Sequence, residues 1–296
     1  MSVDALPRSA HPARRRLPVG LLLVAPPLIL IVGILLVPAL RTIIGTLQVP
    51  RPDGTIGWSL DNYSKFFGDA YTLSNLGRTI WTTLVTLALL ILVNLPIALY
   101  LRFARGPLAA FIQATALFPM FVPGIVICYA LIQYLGPNGL LQSLLERVGF
   151  VWYHTPYLTP WGPVIGLVWD AMPFTLLVLT AGAGGISTPS IEAARDLGAG
   201  KLTIFTRIIL PQMANSIIVV CALDFFYLFA SVLQPLLLGP ATPELMGPYM
   251  LRTFVSVRDP AMSSTQATVT FLICSLAGYT YVRAMARRQK EEGAAR

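Results

Sequence analysis

GGISTPSIEAARDLGAGKLTIFTRIILPQM, residues 184–213, lies between two long apolar runs and carries the signals of a short helix. Thr188 is a suitable N-cap, and Pro189 fits the first helical position because its missing N–H would have no partner there. The pattern predicts a helix from Ile191 to Leu197, which Gly198 ends because glycine adopts the left-handed cap conformation at little cost. The sequence therefore predicts a short helix between the two apolar runs, stopped by a glycine turn.

The rest of this stretch continues toward the next apolar run. Glu192 falls in the first turn of the predicted helix, where its charge complements the helix macrodipole. A second amphipathic stretch runs from Leu202 to Leu210 and reaches Pro211 before the next run begins. Surface helix-turn-helix segments occur in many polytopic proteins, so this geometry alone does not identify a function.

The overall composition is that of a membrane protein. Of the 296 residues, 55% are hydrophobic and only 11% are charged, and the mean hydropathy is +0.70. A soluble domain would carry about a quarter charged residues. Basic cytoplasmic loops explain the net charge of +8 more simply than nucleic-acid binding does. We therefore expect membrane lipid, and no nucleic acid, as a partner.

Six apolar runs are long enough to cross a bilayer, which takes roughly 20 apolar residues per helix. They are Leu17–Leu40, Ile80–Leu101, Leu108–Leu135, Trp161–Ala181, Ala214–Leu238 and Thr265–Ala284. Each must be helical because the hydrocarbon offers no water to the backbone. Prolines within the runs are expected to mark kinks; they are Pro26, Pro96, Pro119, Pro123 and Pro173. The sequence predicts an all-α integral membrane protein with six transmembrane helices.

The distribution of Lys and Arg predicts the orientation of these helices. Fourteen lie in the N-terminus, in residues 102–107, in residues 182–213 and in the tail from Arg283, against seven on the other side. The positive-inside rule then places both termini in the cytoplasm. The expected division is a cytoplasmic basic N-terminus at residues 1–16, a six-span domain at residues 17–284 and a cytoplasmic tail at residues 285–296.

Two polar segments are expected on the outer side, residues 45–79 and residues 136–160. The second contains GPNGLLQSLLERVGF, residues 136–150, which is typical of a turn followed by a short amphipathic helix. Such a helix could lie at the membrane surface, cap a pore or contact a partner.

Two carboxylates are predicted at membrane depth, Asp170 in the fourth run and Asp224 in the fifth. An ionised group at that depth costs roughly 2.5–3.5 kcal/mol and normally faces a cavity or a partner. On a helical wheel, the polar residues of the fifth run fall within about 80° of one another. They are Ser216, Asp224, Tyr227, Ser231 and Gln234. The stripe is typical of a translocation path or of hydrogen bonds between helices, and both interpretations remain open.

Catalytic and metal-binding motifs are absent from the sequence. There is no GxxxxGK[ST], HExxH or GxSxG. The cysteines Cys128, Cys221 and Cys274 lie in apolar runs without a CxxC pair, and His11 and His154 lie outside those runs. We expect no catalytic residue, no metal and no cofactor, so energy for any transport must come from another polypeptide.

The 184–213 stretch resembles the EAA loop of permease subunits of binding-protein-dependent ABC importers. The family pattern is EAA, three residues, Gly, nine residues and I-x-L-P, which residues 192–194, Gly198 and residues 208–211 match in spacing. Weaker similarities are WSLDNY at 58–63, NLPIA at 94–98, with Asn94 in place of the usual glycine, and GPNG at 136–139. One departure is Gly77-Arg78-Thr79, where relatives commonly have an Asn-Thr pair.

The resemblance implies the type I importer permease fold and a coupling helix that docks in a cleft of the ATPase. The residues that would carry this role are Glu192, Ala193, Ala194, Arg195, Asp196 and Gly198. The implied partners in a bacterial inner membrane are an ATP-binding cassette ATPase dimer, a second permease subunit and a periplasmic solute-binding protein. The pairing of permeases is left open between homo- and heteromeric, with a heterologous paralogue favoured. The path residues would be Asp170, Asp224, Tyr227, Ser231 and Gln234.

The transported solute is predicted from one stretch of sequence and from the charges at membrane depth. EAARDLGA is most similar to the spermidine/putrescine branch, and two mid-span carboxylates without a mid-span Lys or Arg favour a cationic, amine-bearing solute. Alternatives are an opine, an aminophosphonate, iron or a sugar. A secondary transporter driven by ions would predict internal repeats and interrupted helices. A membrane enzyme is disfavoured by the missing catalytic groups.

Overall fold

The computed structural model describes residues 19–50 and 55–294, and these are almost entirely helical. Within the described chain, six helical stretches are long and apolar enough to cross a membrane, and we call them spans one to six. They are Leu23–Gly45, Ala70–Phe103, Gly124–Arg147, Trp161–Gly184, Lys201–Phe229 and Pro260–Ala286. The predicted all-α, six-helix architecture is confirmed. The predicted N-terminal segment, residues 1–16, lies outside the described residues.

The secondary structure consists of helices joined by short turns, with one small hairpin. The helices are Val19–Ile31, Val37–Gly45, Asp61–Gly68, Ala70–Phe103, Pro107–Leu117, Gly124–Leu135, Leu140–Arg147, Trp161–Gly184, Thr188–Asp196, Lys201–Ile204, Leu210–Phe229, Leu233–Leu238, Met246–Arg252 and Pro260–Ala294. Wider π turns occupy Val32–Leu36, Phe205–Ile209 and Thr253–Val257, and Phe118–Phe121 is a 3-10 turn. Strands Gln48–Pro50 and Ile56–Trp58 pair antiparallel.

Span four lies at the centre of the bundle and span one lies outside it. In the most apolar window of span four 44% of the residues are buried, whereas in span one none is. Span one is held at its end, where the fully buried Thr46 shares a 2.7 Å hydrogen bond with the Tyr63 hydroxyl and accepts one from Asn62 Nδ2 at 2.9 Å. The second half of the span, Val37–Gly45, also contacts span six, and the side chains of the rest are left to lipid or to another subunit.

Span two begins at a well-formed cap on the side opposite the 184–213 stretch. The carboxylate of Asp69 accepts hydrogen bonds from the hydroxyl and the backbone N–H of Thr72 and from the backbone N–H of Tyr71. These hydrogen bonds, the one from the Thr72 hydroxyl first, hold the pKa of the Asp69 carboxyl below its usual range. We call this side of the bundle the far end and the side bearing residues 184–213 the loop end.

The predicted third span, Leu108–Leu135, is two half-helices rather than one. Pro107–Leu117 leads into the 3-10 turn Phe118–Phe121, and a new helix starts at Gly124. Two prolines, Pro119 and Pro123, remove backbone donors four residues apart, and Val122 between them is extended. The expected kinks are therefore a full interruption. Span three, Gly124–Arg147, joins the second half-helix to Leu140–Arg147, the short helix that was expected there.

Span five differs from the predicted run Ala214–Leu238 at both ends. It starts at Lys201, so the amphipathic stretch before Pro211 is part of the span. The π turn Phe205–Ile209 lets the helix pass this proline, whose missing N–H would interrupt an α-helical ladder. The helix ends at Phe229, and a separate short helix, Leu233–Leu238, follows.

Candidate functional site

The loop helix, Thr188–Asp196, forms close to where the sequence predicts it. Ser187, and not Thr188, is the N-cap, and its hydroxyl accepts the backbone N–H of Ser190 at 3.3 Å. Both side chains can cap, but Pro189 then occupies the second position of the first turn. Gly198 has a φ of +80°, which confirms the predicted left-handed stop.

The loop helix presents a polar face to the outside and one apolar anchor to the bundle. Ile191 is 5% exposed and belongs to a buried apolar cluster with residues of spans two, four and five, which include Leu95, Leu179 and Met213. The predicted coupling residues other than Ala194 are exposed, and Ala194 is half-buried; they are Glu192, Ala193, Arg195, Asp196 and Gly198. Among the described residues the ion pair is Arg252–Glu244, so the charges of the loop helix are available to a partner.

Three contacts at the base of the loop helix were missed by sequence reasoning. Arg102, in the last turn of span two, donates to the carbonyls of Ala183 at 3.1 Å and Ile186 at 3.4 Å. Gln212 of span five accepts the backbone N–H of Ser187 at 2.8 Å. Each contact joins residues that are far apart in the sequence. A basic residue after an apolar run, such as Arg102, indicates only the orientation of the span and does not indicate a contact of its own.

The second candidate site is centred on Asp170, about 14 Å along span four from Trp161 at 1.5 Å per residue. Its Oδ2 accepts hydrogen bonds from the Tyr227 hydroxyl and from Gln234 Nε2 at 2.8 Å. A Cβ placed on Gly124 would lie 4.0 Å from Asp170 Oδ1 and 3.8 Å from Gln234 Nε2. The interruptions of the third and fifth predicted spans therefore meet at this carboxylate, where both new helices begin.

The second carboxylate, Asp224, is held between spans four and five. It is 1% exposed, and its Oδ2 accepts the hydroxyl of the fully buried Thr175 at 2.7 Å. Asp170 is half-buried and Tyr227 is 48% exposed. Asp170 and Tyr227 are thus partly exposed, whereas Asp224 is buried between two helices.

A cavity of about 390 Å³ lies beside these groups. Its lining is Met120, Asp170, Ala171, Pro173, Phe174, Leu223, Asp224 and Tyr227. The lining contains two carboxylates and a phenol, and it contains no Lys or Arg. Within the described residues no three His, Cys, Asp or Glu side chains are grouped as metal ligands would be.

The predicted polar stripe of the fifth run is divided by the end of the helix at Phe229. Ser231 lies in the break, donates to the carbonyl of Leu228 at 2.8 Å and does not line the cavity. Gln234 lies on the next helix, yet it reaches Asp170. Ser216 faces the loop end, against Gly182. A single helical wheel therefore does not describe the positions of these residues. Three of the predicted path residues, Asp170, Tyr227 and Gln234, nevertheless meet.

A family model identifies the chain. Residues 91–291 match the model of the binding-protein-dependent transport system inner membrane component. The chain belongs to this family. It is a permease subunit of an ABC importer, a component that is not itself catalytic, and the resemblance of the 184–213 stretch is confirmed.

Two relatives with different transport systems resemble this permease. The spermidine/putrescine transport system permease protein PotB of Escherichia coli (strain K12) is 30% identical over 238 residues, covering 78% of this chain and 86% of PotB. The sn-glycerol-3-phosphate transport system permease protein UgpA of Shigella flexneri is 29% identical over 300 residues, covering 95% of this chain and 99% of UgpA.

A solved structure shares the fold of this permease. A chain of the bacterial alginate ABC transporter in complex with alginate pentasaccharide-bound periplasmic protein matches with a TM-score of 0.75 at 16% identity. The match covers 91% of this chain and 94% of that chain. The predicted type I importer permease fold is thereby confirmed.

Proposed function

We propose that this ABC importer permease forms the path for a cationic, amine-bearing solute such as a polyamine. The observation that carries the proposal is the cavity at Asp170, which offers this half-buried carboxylate and an exposed phenol, has the buried Asp224 in its wall and contains no basic side chain. In a site of low dielectric, carboxylates attract a cation and repel an anion. The Tyr227 ring adds a face on which an ammonium group can rest.

The two relatives favour different solutes, and the cavity favours one of them. PotB belongs to a spermidine/putrescine system, and UgpA belongs to a glycerol-3-phosphate system. A phosphate ester needs cationic or N–H donors, whereas the side chains of this cavity supply carboxylates. This comparison supports the polyamine alternative over a phosphate ester.

The same proposal assigns the energy input to a separate ATPase. The loop helix, with its exposed Glu192, Arg195 and Asp196, would dock on an ATPase subunit at the cytoplasmic face, with both chain termini on that side. A second permease subunit would complete the path, and a periplasmic binding protein would deliver the solute at the far end. Interrupted helices, which the ion-coupled alternative predicted, are present here, but they occur in a chain whose family uses binding proteins.

Uptake into liposomes tests the solute. The complete importer should accumulate radiolabelled spermidine and should not accumulate labelled sn-glycerol-3-phosphate. Asp170→Asn should lower spermidine uptake roughly tenfold, because about 1.4 kcal/mol of attraction to the ammonium is lost. Asp259→Asn, at an exposed carboxylate outside the spans, is the matched control and should behave like the parent. Uptake of the phosphate ester, with Asp170→Asn equal to the parent, would refute the proposal.

A further inference from the structure

A pair of glycines separates span four from the loop helix. Gly184 ends the span and Gly185 follows it. Neither has a positive φ, and a Cβ at Gly184 would meet no atom within 4 Å. Neither space nor backbone geometry therefore requires glycine at Gly184, and the conformational freedom of the pair would allow the loop helix to move without moving the span.

Arg102 of span two bridges this glycine pair. Its Nε donates to the carbonyl of Ala183, one residue before the pair, at 3.1 Å. Its Nη2 donates to the carbonyl of Ile186, one residue after the pair, at 3.4 Å. The carbonyl of Ala183 also accepts the backbone N–H of Ile186 at 3.1 Å, and a basic side chain near the end of a helix can bond its last carbonyls as well. One guanidinium therefore holds both sides of the glycine pair in a fixed relation.

Gln212 holds the next residue from the other side of the bundle. Its Oε1 accepts the backbone N–H of Ser187, the N-cap of the loop helix, at 2.8 Å. Directly above, a Cβ on Gly182 would lie 2.1 Å from Ser216 Oγ, so spans four and five are in close contact. The N-cap of the loop helix is thus attached to span five, and the turn before it is attached to span two.

We propose that Arg102 and Gln212 are positioning residues that lock the Gly184–Gly185 hinge. They pass a displacement of the loop helix to spans two and five instead of letting the glycines absorb it. The inference rests on the proposed docking of the loop helix on an ATPase. The proposal adds which residues transmit the movement to the spans. Transmission then depends on the contacts at the base of the loop helix as well as on the exposed face that docks.

The test measures a nucleotide-driven movement and needs no knowledge of the solute. The complete importer carries Met120→Cys in the Asp170 cavity, with the three native cysteines replaced. The rate of its modification by a water-soluble maleimide is compared between the nucleotide-free state and the state trapped with ATP and vanadate. In the parent, the two rates should differ because the cavity changes its access.

We call the contacts made by Arg102 and Gln212 the clamp. Removing the clamp should reduce the difference between the two modification rates, while nucleotide trapping persists. Arg102→Ala and Gln212→Met should each reduce it roughly threefold or more, within the range found for residues that carry coupling. Gln212→Glu keeps an acceptor for Ser187 and should behave like the parent. Arg105→Ala is the control for loss of a basic charge, since Arg105 is exposed and makes no hydrogen bond to another described residue.

The outcomes separate the clamp from the docking role. If Glu192→Lys abolishes the difference while Arg102→Ala and Gln212→Met preserve it, the clamp is refuted and docking stands. If Glu192→Lys preserves it as well, the docking role itself is refuted. Should Arg102→Ala fail to assemble, the comparison of Gln212→Met with Gln212→Glu decides alone, because those variants share size and differ in the acceptor.

Discussion

The hydroxyl of Tyr227 donates to the carboxylate of Asp170 across the boundary between spans five and four. Gln234, beyond the end of span five, donates to the same oxygen at 2.8 Å. The carboxylate is therefore hydrogen-bonded but has no cationic partner among the described residues. Its negative charge stays available to the adjoining cavity, which is the basis of the proposed preference for an ammonium group.

The hydrogen bond between Thr175 and Asp224 is expected to stabilise the bundle. Thr175→Val leaves a buried carboxylate without its donor and should lower the free energy of unfolding by about 1–3 kcal/mol. Asp224→Asn keeps an acceptor for the Thr175 hydroxyl and should cost less. The midpoint of thermal unfolding in detergent measures both. Equal melting temperatures for Thr175→Val and the parent would contradict the bracing role of Asp224.

The close contact of Gly182 with Ser216 predicts intolerance to a larger residue. Gly182→Ala should force spans four and five apart and lower the thermal midpoint, because overpacking costs typically 1–3 kcal/mol. Gly184→Ala, at an open position two residues on, is the matched control and should change it little. Adding Ser216→Gly to Gly182→Ala should restore part of the loss. If the two glycine substitutions have the same effect, the contact is not as tight as the structure has it.

The left-handed backbone at Gly198 predicts a position-specific effect on coupling. A β-branched residue there is strained, so Gly198→Val should misdirect the chain between the loop helix and span five and reduce ATP hydrolysis stimulated by the binding protein. Gly198→Asn should be milder, since asparagine tolerates this conformation. Amounts of permease in the membrane, measured alongside, should remain at the parent level. Normal stimulation in Gly198→Val would argue against a coupling role for this turn.

The orientation predicted from basic residues is tested by cysteine labelling. Cysteines at Arg105 and Ser190 should react only with reagent supplied from the cytoplasmic side, and a cysteine at Asp61 only with reagent from outside. All three positions are exposed in the structure, so accessibility within the chain does not limit the reaction. The reverse pattern would overturn the assignment of both termini to the cytoplasm.

Local signals in the sequence predicted the helices of this permease better than the contacts between them. Hydropathy located six spans because burial in hydrocarbon leaves no alternative to a helix, and the Gly198 stop follows from one residue's conformational freedom. The break at Pro123 was not predictable in this way, since membrane helices accommodate many prolines. Whether such a residue kinks or ends a helix depends on which neighbouring groups satisfy the freed carbonyls.

The candidate site shows the same limit. The helical wheel placed Tyr227 and Gln234 on one stripe because it assumed one continuous helix. In the structure that helix ends at Phe229, before Gln234. Their meeting at Asp170 results from tertiary packing of two interrupted segments. The bond from Arg102 to Ala183 likewise joins positions 81 residues apart, and nothing in the local pattern around either residue indicates it.

Span one is attached to the bundle through Thr46 and through contacts of Val37–Gly45 with span six, and it contributes no buried side chain of its own in its most apolar window. The folded core therefore places almost no constraint on the identity of residues 23–40 beyond their being apolar. Among homologous chains, Leu, Ile and Val should replace one another freely in this helix, except on a face that contacts another subunit. The positions of this helix at which such substitutions are absent would therefore outline a subunit contact without any structure of the assembled importer.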